Sequence, residues 1–126
     1  MEAALEWIRT AHAAAGDGGI SKGFDLLRGR WSPSYPETTG YTIPTLLNTA
    51  AALDRPELKS LALSLADYLI QRSTPEGGVA HWQAGSAATP IVFDTGQVLF
   101  GWLAAYAATQ EERYLQAARQ SGSWTR

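Results

Sequence analysis

The chain has 126 residues, with ten Lys and Arg against twelve Asp and Glu, a net charge of −2 at pH 7 and a pI near 5.6. This balance lacks the basic footprint that nucleic acid or an anionic membrane surface selects. The absence of cysteine excludes disulfides and thiolate metal sites.

The length suits one domain, 1–126, large enough to bury a core without staples. No apolar run approaches the ~18 residues of a membrane span. Met1-Glu2-Ala3-Ala4 carries neither a basic nor an apolar leader pattern. The expectation is therefore a soluble, cytoplasmic protein.

A first helix is predicted over 2–14, with Leu5, Ile8 and His12 on one face and Trp7 and Ala11 widening it. Gly16-Asp17-Gly18-Gly19 ends it, because glycine accepts the left-handed conformation of a helix stop. Residues 20–36 follow as a long loop carrying Trp31, Pro33, Tyr35 and Pro36. A second helix starts at Thr38 or Thr39, with Pro44 kinking its first turns.

Asp54-Arg55-Pro56-Glu57 reads as an N-cap acid, a first-turn proline and a capping-box glutamate. It opens a third helix that runs to about Arg72. Leu58, Leu61, Ala62, Leu65, Ala66 and Leu69 recur there at the spacing of one helix face. Residues 73–93 form a second long loop, in which Glu76-Gly77-Gly78-Val79 echoes Asp17-Gly18-Gly19-Ile20. A fourth helix is predicted over 95–108, capped by Asp94 or Thr95. A fifth is predicted over 111–121, weakening at Ser121-Gly122-Ser123.

The Thr39-Gly40 pair recurs 56 residues on as Thr95-Gly96, and the alignment runs without a gap from Thr39 through Tyr68. Only Thr39, Gly40, Leu47, Ala51, Ala52 and Ala62 match their partners, so the order of parts carries the repeat rather than identity. Such a period implies stacked helical hairpins, none of which buries its apolar face alone. The fold class is all-α, with about five helices in stacked hairpins and long loops at about 15–37 and 73–93.

Three runs carry a family likeness: Trp31-Ser32-Pro33-Ser34-Tyr35-Pro36-Glu37-Thr38-Thr39-Gly40-Tyr41, Phe93-Asp94-Thr95-Gly96-Gln97, and the loop from Gln71 through Glu76-Gly77-Gly78 to Trp82. With alternating long and short connections, the chain resembles bacterial (α/α) toroid proteins of the terpenoid-cyclase-like and six-hairpin carbohydrate-enzyme group. The resemblance implies a partial toroid of about two and a half hairpins, against six or seven in a full one. The Asp-rich motif of the cyclases is missing, and the zinc set of the prenyltransferases would need a cysteine.

In a toroid the long loops gather at one mouth, so the resemblance places Glu37 and Asp94 there. Two carboxylates flanking a cleft are the equipment of glycoside hydrolysis. The blander account makes Asp94 a helix cap and Glu37 a first-turn acid favoured by the helix dipole.

Arg28, Arg30, Trp31, Tyr35 and Tyr41 offer guanidinium forks and flat rings suited to an acidic glycan, with His81 and Trp82 as further sugar contacts. Packing and solvation account for the same residues without a ligand. No cofactor or metal is expected. The functional expectation is carbohydrate binding or processing, of the glycoside hydrolase, lyase or epimerase kind if catalytic. The alternative is a non-catalytic assembly module or a truncated relic of a polysaccharide-active enzyme. Alanine-rich first and fifth helices and a charge content of only 17% lead to the expectation of a homodimer centred on one of them.

Overall fold

The computed structural model describes residues 1–80 and 89–126; His81 and Trp82 lie outside the described residues. Among these, five helices and one small hairpin follow in the order α1 (Glu2–Ala15), β1 (Phe24–Asp25), β2 (Arg30–Trp31), α2 (Pro36–Leu53), α3 (Pro56–Gln71), α4 (Val92–Thr109) and α5 (Glu112–Trp124). The structure is thus mostly helical. The two-stranded sheet is antiparallel, pairing Phe24 with Trp31 and Asp25 with Arg30.

Helices α2 and α4 pack side by side, α3 covers α2, and α5 covers α4. One core joins the layers: Ile43, Leu46, Leu58, Leu65, Leu69, Val98, Trp102 and Tyr114 are all fully buried. The closest approach is glycine-mediated. A Cβ at Gly40 would stand 2.8 Å from the Val98 backbone, and one at Gly101 would stand 2.7 Å from the Gly40 carbonyl oxygen.

Pro44 has no N–H for that carbonyl, four residues back. The helix nevertheless runs unbroken through it, and the freed oxygen of Gly40 meets the bare Cα of Gly101.

The repeat is visible in backbone detail, at a shift of 56 residues in the helices and 59 in the Gly-Gly segments before them. Ile20 N–H donates to Thr39 Oγ1 at 2.9 Å, and Val79 N–H donates to Thr95 Oγ1 at 3.0 Å. Both threonines are fully buried. Isolated bridges pair Ser21 with Ser34 and Ala80 with Pro90, so each Gly-Gly segment lies beside the residues entering the next helix. Asp54 and Gln110 are equivalent left-handed C-caps, at φ 51° and 59°. Tyr68 closes against Gly19 and Trp124 against Gly78, where a Cβ would come within 2.7 Å and 2.8 Å of the respective rings. Trp7 does not share this position. It stacks on Trp31 with centroids 4.7 Å apart.

Several sequence-based boundaries are corrected. Helix α2 begins at Pro36, since the proline is preorganised for the first helical position and Tyr35 is the extended residue before it. Asp54 ends α2 rather than capping α3, and Glu57 pairs with Arg55 and Arg9 instead of closing a capping box. Helix α4 begins at Val92, which puts Asp94 inside the first turn and not at the cap. Helix α5 continues through Ser121-Gly122-Ser123, because buried Ser121 donates its hydroxyl to Gly77 O at 2.6 Å. Leu61 is only half-buried, whereas Leu65 and Leu69 are fully covered.

Asp17 joins the first loop to α3. Its carboxylate accepts hydrogen bonds from Ser34 Oγ at 2.6 Å, Tyr68 OH at 3.0 Å and Gly19 N–H at 3.1 Å, with Arg72 at 4.0 Å. Partial burial opposes its ionisation, but these donors and the Arg72 charge outweigh it and hold the carboxyl below its usual range. A depressed folded pKa stabilises above the unfolded value of ~3.9, and that contribution is lost as pH falls through the folded value. Asp17→Asn is therefore expected to melt earlier than wild type at pH 7. The difference should narrow as pH is lowered from 7 through the folded value, where the wild-type carboxyl takes up its proton. A constant gap across that range in a thermal-melt series would contradict this role.

Candidate functional site at the helix N-termini

Gly40 meets Gln97 and Val98, and Tyr35 is hydrogen-bonded to Asp94, so the first turns of α2 and α4 lie at the same end. Glu37 is the second residue of α2, and Asp94 is the third of α4. Between them stands Tyr35, the residue entering α2. Burial, then a hydrogen bond to the Asp94 carboxylate, then the charges of Asp94 and Glu37 raise its phenol above the ordinary tyrosine pKa. Lys22 lies over the Tyr35 ring at 4.9 Å.

Asp94 is 3% exposed, and its Oδ2 has no hydrogen-bond partner among the described residues. A buried carboxylate oxygen in that state carries a desolvation cost of roughly 1–3 kcal/mol until a donor arrives. Both acids sit where the N-terminal helix field favours negative charge.

The remaining predicted residues separate into other places. Arg28, Arg30 and Trp31 line a hollow of about 460 Å³ with Asp25, Ala14 and Ala15. Arg28 is tied to Asp25 there, Nη1 to Oδ2 at 2.7 Å, because Asp25 also caps the hairpin turn through the N–H groups of Leu27 and Arg28. Trp31 is committed in part to packing, between Trp7 and the edge of Phe24.

Tyr41 is 46% exposed and belongs to a third place, a groove of about 240 Å³ between α1 and α2 with Trp7, Ile8, Lys22 and Thr38. The expected single cluster is thus corrected. Tyr35 joins Glu37 and Asp94, while the arginines with Trp31, and Tyr41, lie apart from it. His81 and Trp82 fall outside the described residues.

Lys22 was missed by sequence reasoning. The Ser21–Ser34 bridge sets Lys22 opposite Pro33, from where its side chain reaches the Tyr35 ring, a register that no spacing in the sequence marks. His12 is half-buried, with Nδ1 3.0 Å from Gly19 O, as a packing residue would be. Among the described residues no three His, Asp or Glu gather as a metal site, and no helix is long and apolar enough to cross a membrane.

The described residues define a small, mostly helical protein in which α2 and α4 carry Glu37 and Asp94 in their first turns. Comparison with protein-family models, with curated proteins and with solved structures finds no match.

Proposed function

We propose that the protein binds carbohydrate at the mouth formed by Tyr35, Glu37 and Asp94, as part of a partial (α/α) toroid. The observation that carries this reading is Asp94, hydrogen-bonded to Tyr35 and nearly buried, whose Oδ2 has no partner among the described residues. Sugar hydroxyls supply the donors such an oxygen needs, and sugar faces stack on aromatic rings. Arg30, in the separate hollow with Trp31, suits the acidic group of an acidic glycan, since its guanidinium offers a fork to a carboxylate. Glu37 and Asp94 would be the acid and base if the bound sugar is also cleaved, the pairing used by glycosidases.

Titration calorimetry against neutral and acidic oligosaccharides tests the reading. Wild type is expected to bind, and Asp94→Asn to weaken binding about tenfold or more through loss of a charged acceptor. Arg30→Ala should weaken only the acidic series. Product analysis of the same mixtures reports on cleavage. Absence of binding across both series, with the wild-type fold intact, would overturn the proposal. A second reading, a helical assembly module, is favoured by the surface of α4.

A further inference from the structure

The two inner helices are equivalent in sequence but not in cover. Pro36, Gly40 and Leu47 of α2 are buried, and Glu37 and Pro44 are half-buried. Their partners 56 residues on are more exposed: Val92 60%, Phe93 61%, Phe100 60% and Leu103 40%, with Gly96 half-buried. What covers α2 is α4, through Gly40. Nothing stands within 4 Å of a Cβ built at Gly96.

Phe93, Gly96, Phe100, Leu103 and Ala107 fall at the spacing of a single helix face. With Ile91 and Val92 they expose roughly 500 Å² of apolar side chain, toward the upper end of the largest patch a typical monomer carries. Two such patches reach about 1,000 Å², the lower bound for a specific interface.

We propose that this face of α4 is a homodimer interface, occupied by α4 of a second copy of the chain across a two-fold axis. The internal α2–α4 contact supplies the precedent for a helix seated at this glycine register. It also limits how a second copy can dock. Stacking another copy's α2 onto α4 in the same sense would put Thr45 where Gly101 stands. The carbonyl there lies 2.7 Å from the Cβ position, so a branched side chain cannot enter.

Open-ended stacking is thereby blocked, and a closed two-fold contact is the arrangement that remains. The expected centre moves from α1 or α5 to α4. Helix α5 turns Glu112, Gln116 and Arg119 outward, while Ala118 is buried and Ala117 half-buried. The inference is independent of the carbohydrate reading.

Light scattering and sedimentation velocity at 10 to 100 micromolar, about the range for a modest interface, form the test. Wild type is expected at twice the 13.6 kDa chain mass. Phe100→Glu, at an exposed site, should run as a monomer, its dissociation constant raised at least about 100-fold, with an unchanged circular dichroism spectrum. Gly96→Ala, in an open helix interior, should keep or raise the melting temperature at dilution while weakening the dimer. A monomeric wild type would overturn the proposal. So would a dimer untouched by Phe100→Glu, or a mass that climbs past two copies with concentration.

Discussion

Trp102→Ala is expected to destabilise the protein by about 3–5 kcal/mol, the cost of emptying a large buried aromatic site. The ring is fully buried on α4, and its Nε1 donates to Ala66 O of α3 at 3.0 Å. It therefore bridges the second hairpin to the outer helix of the first, where the direct α3–α4 contact is otherwise small. Removing it opens a cavity between α4 and α3 in a close-packed core that collapses only in part. Trp102→Phe should retain most of the packing and lose the hydrogen bond, costing about 1–2 kcal/mol. Urea unfolding followed by circular dichroism separates the two. A change below about 1 kcal/mol for Trp102→Ala would contradict the buried bridge.

Leu65→Ala is expected to cost about 2–5 kcal/mol. Leu65 is fully buried in the middle of α3, and its repeat partner is Ser121, also buried. The two positions solve the same site differently, one by filling it with apolar volume and the other by binding Gly77 O. The effect should thus be greater for Leu65→Ala than for Ser121→Ala, whose loss is one side-chain hydrogen bond, about 1 kcal/mol. Equal melting temperatures for wild type and Leu65→Ala would mean that this helix face is not the core.

The helices and their core face were legible because periodicity records burial directly. Leu58, Ala62, Leu65, Ala66 and Leu69 on α3 stand out without a structure and are all buried. The helix starts were misread by two or three residues. Tyr35 and Ile91 are extended residues without side-chain caps, so the usual polar cap signal is absent where α2 and α4 begin.

Pro44 reads as a kink in the first turns of α2, but what meets the carbonyl it frees is Gly101 of another helix, which no local pattern encodes. The site was legible only in part. The toroid resemblance, and not the spacing, put Glu37 and Asp94 at one mouth. Burial of Asp94 and its contact with Tyr35 arise from the α2–α4 packing distance and left no trace in spacing. The grouping of Arg28 and Arg30 with Tyr35 failed because the β1–β2 hairpin carries the arginines toward the end of α1 instead.

Helices α2–α3 and α4–α5 form two equivalent hairpins, each fastened by a buried threonine to the Gly-Gly segment before it. Native-state hydrogen exchange at the amides of Ile20 and Val79 tests that fastening most directly. Both lie in loop segments, yet each donates to a threonine hydroxyl in the core, so both should exchange slowly. Thr39→Val should release Ile20 and spare Val79, and Thr95→Val should do the reverse, each at a cost of about 1–3 kcal/mol for the unsatisfied N–H. Wild-type amides at Ile20 and Val79 that exchange as fast as that of the exposed Leu26 would mean that neither threonine fastens its segment.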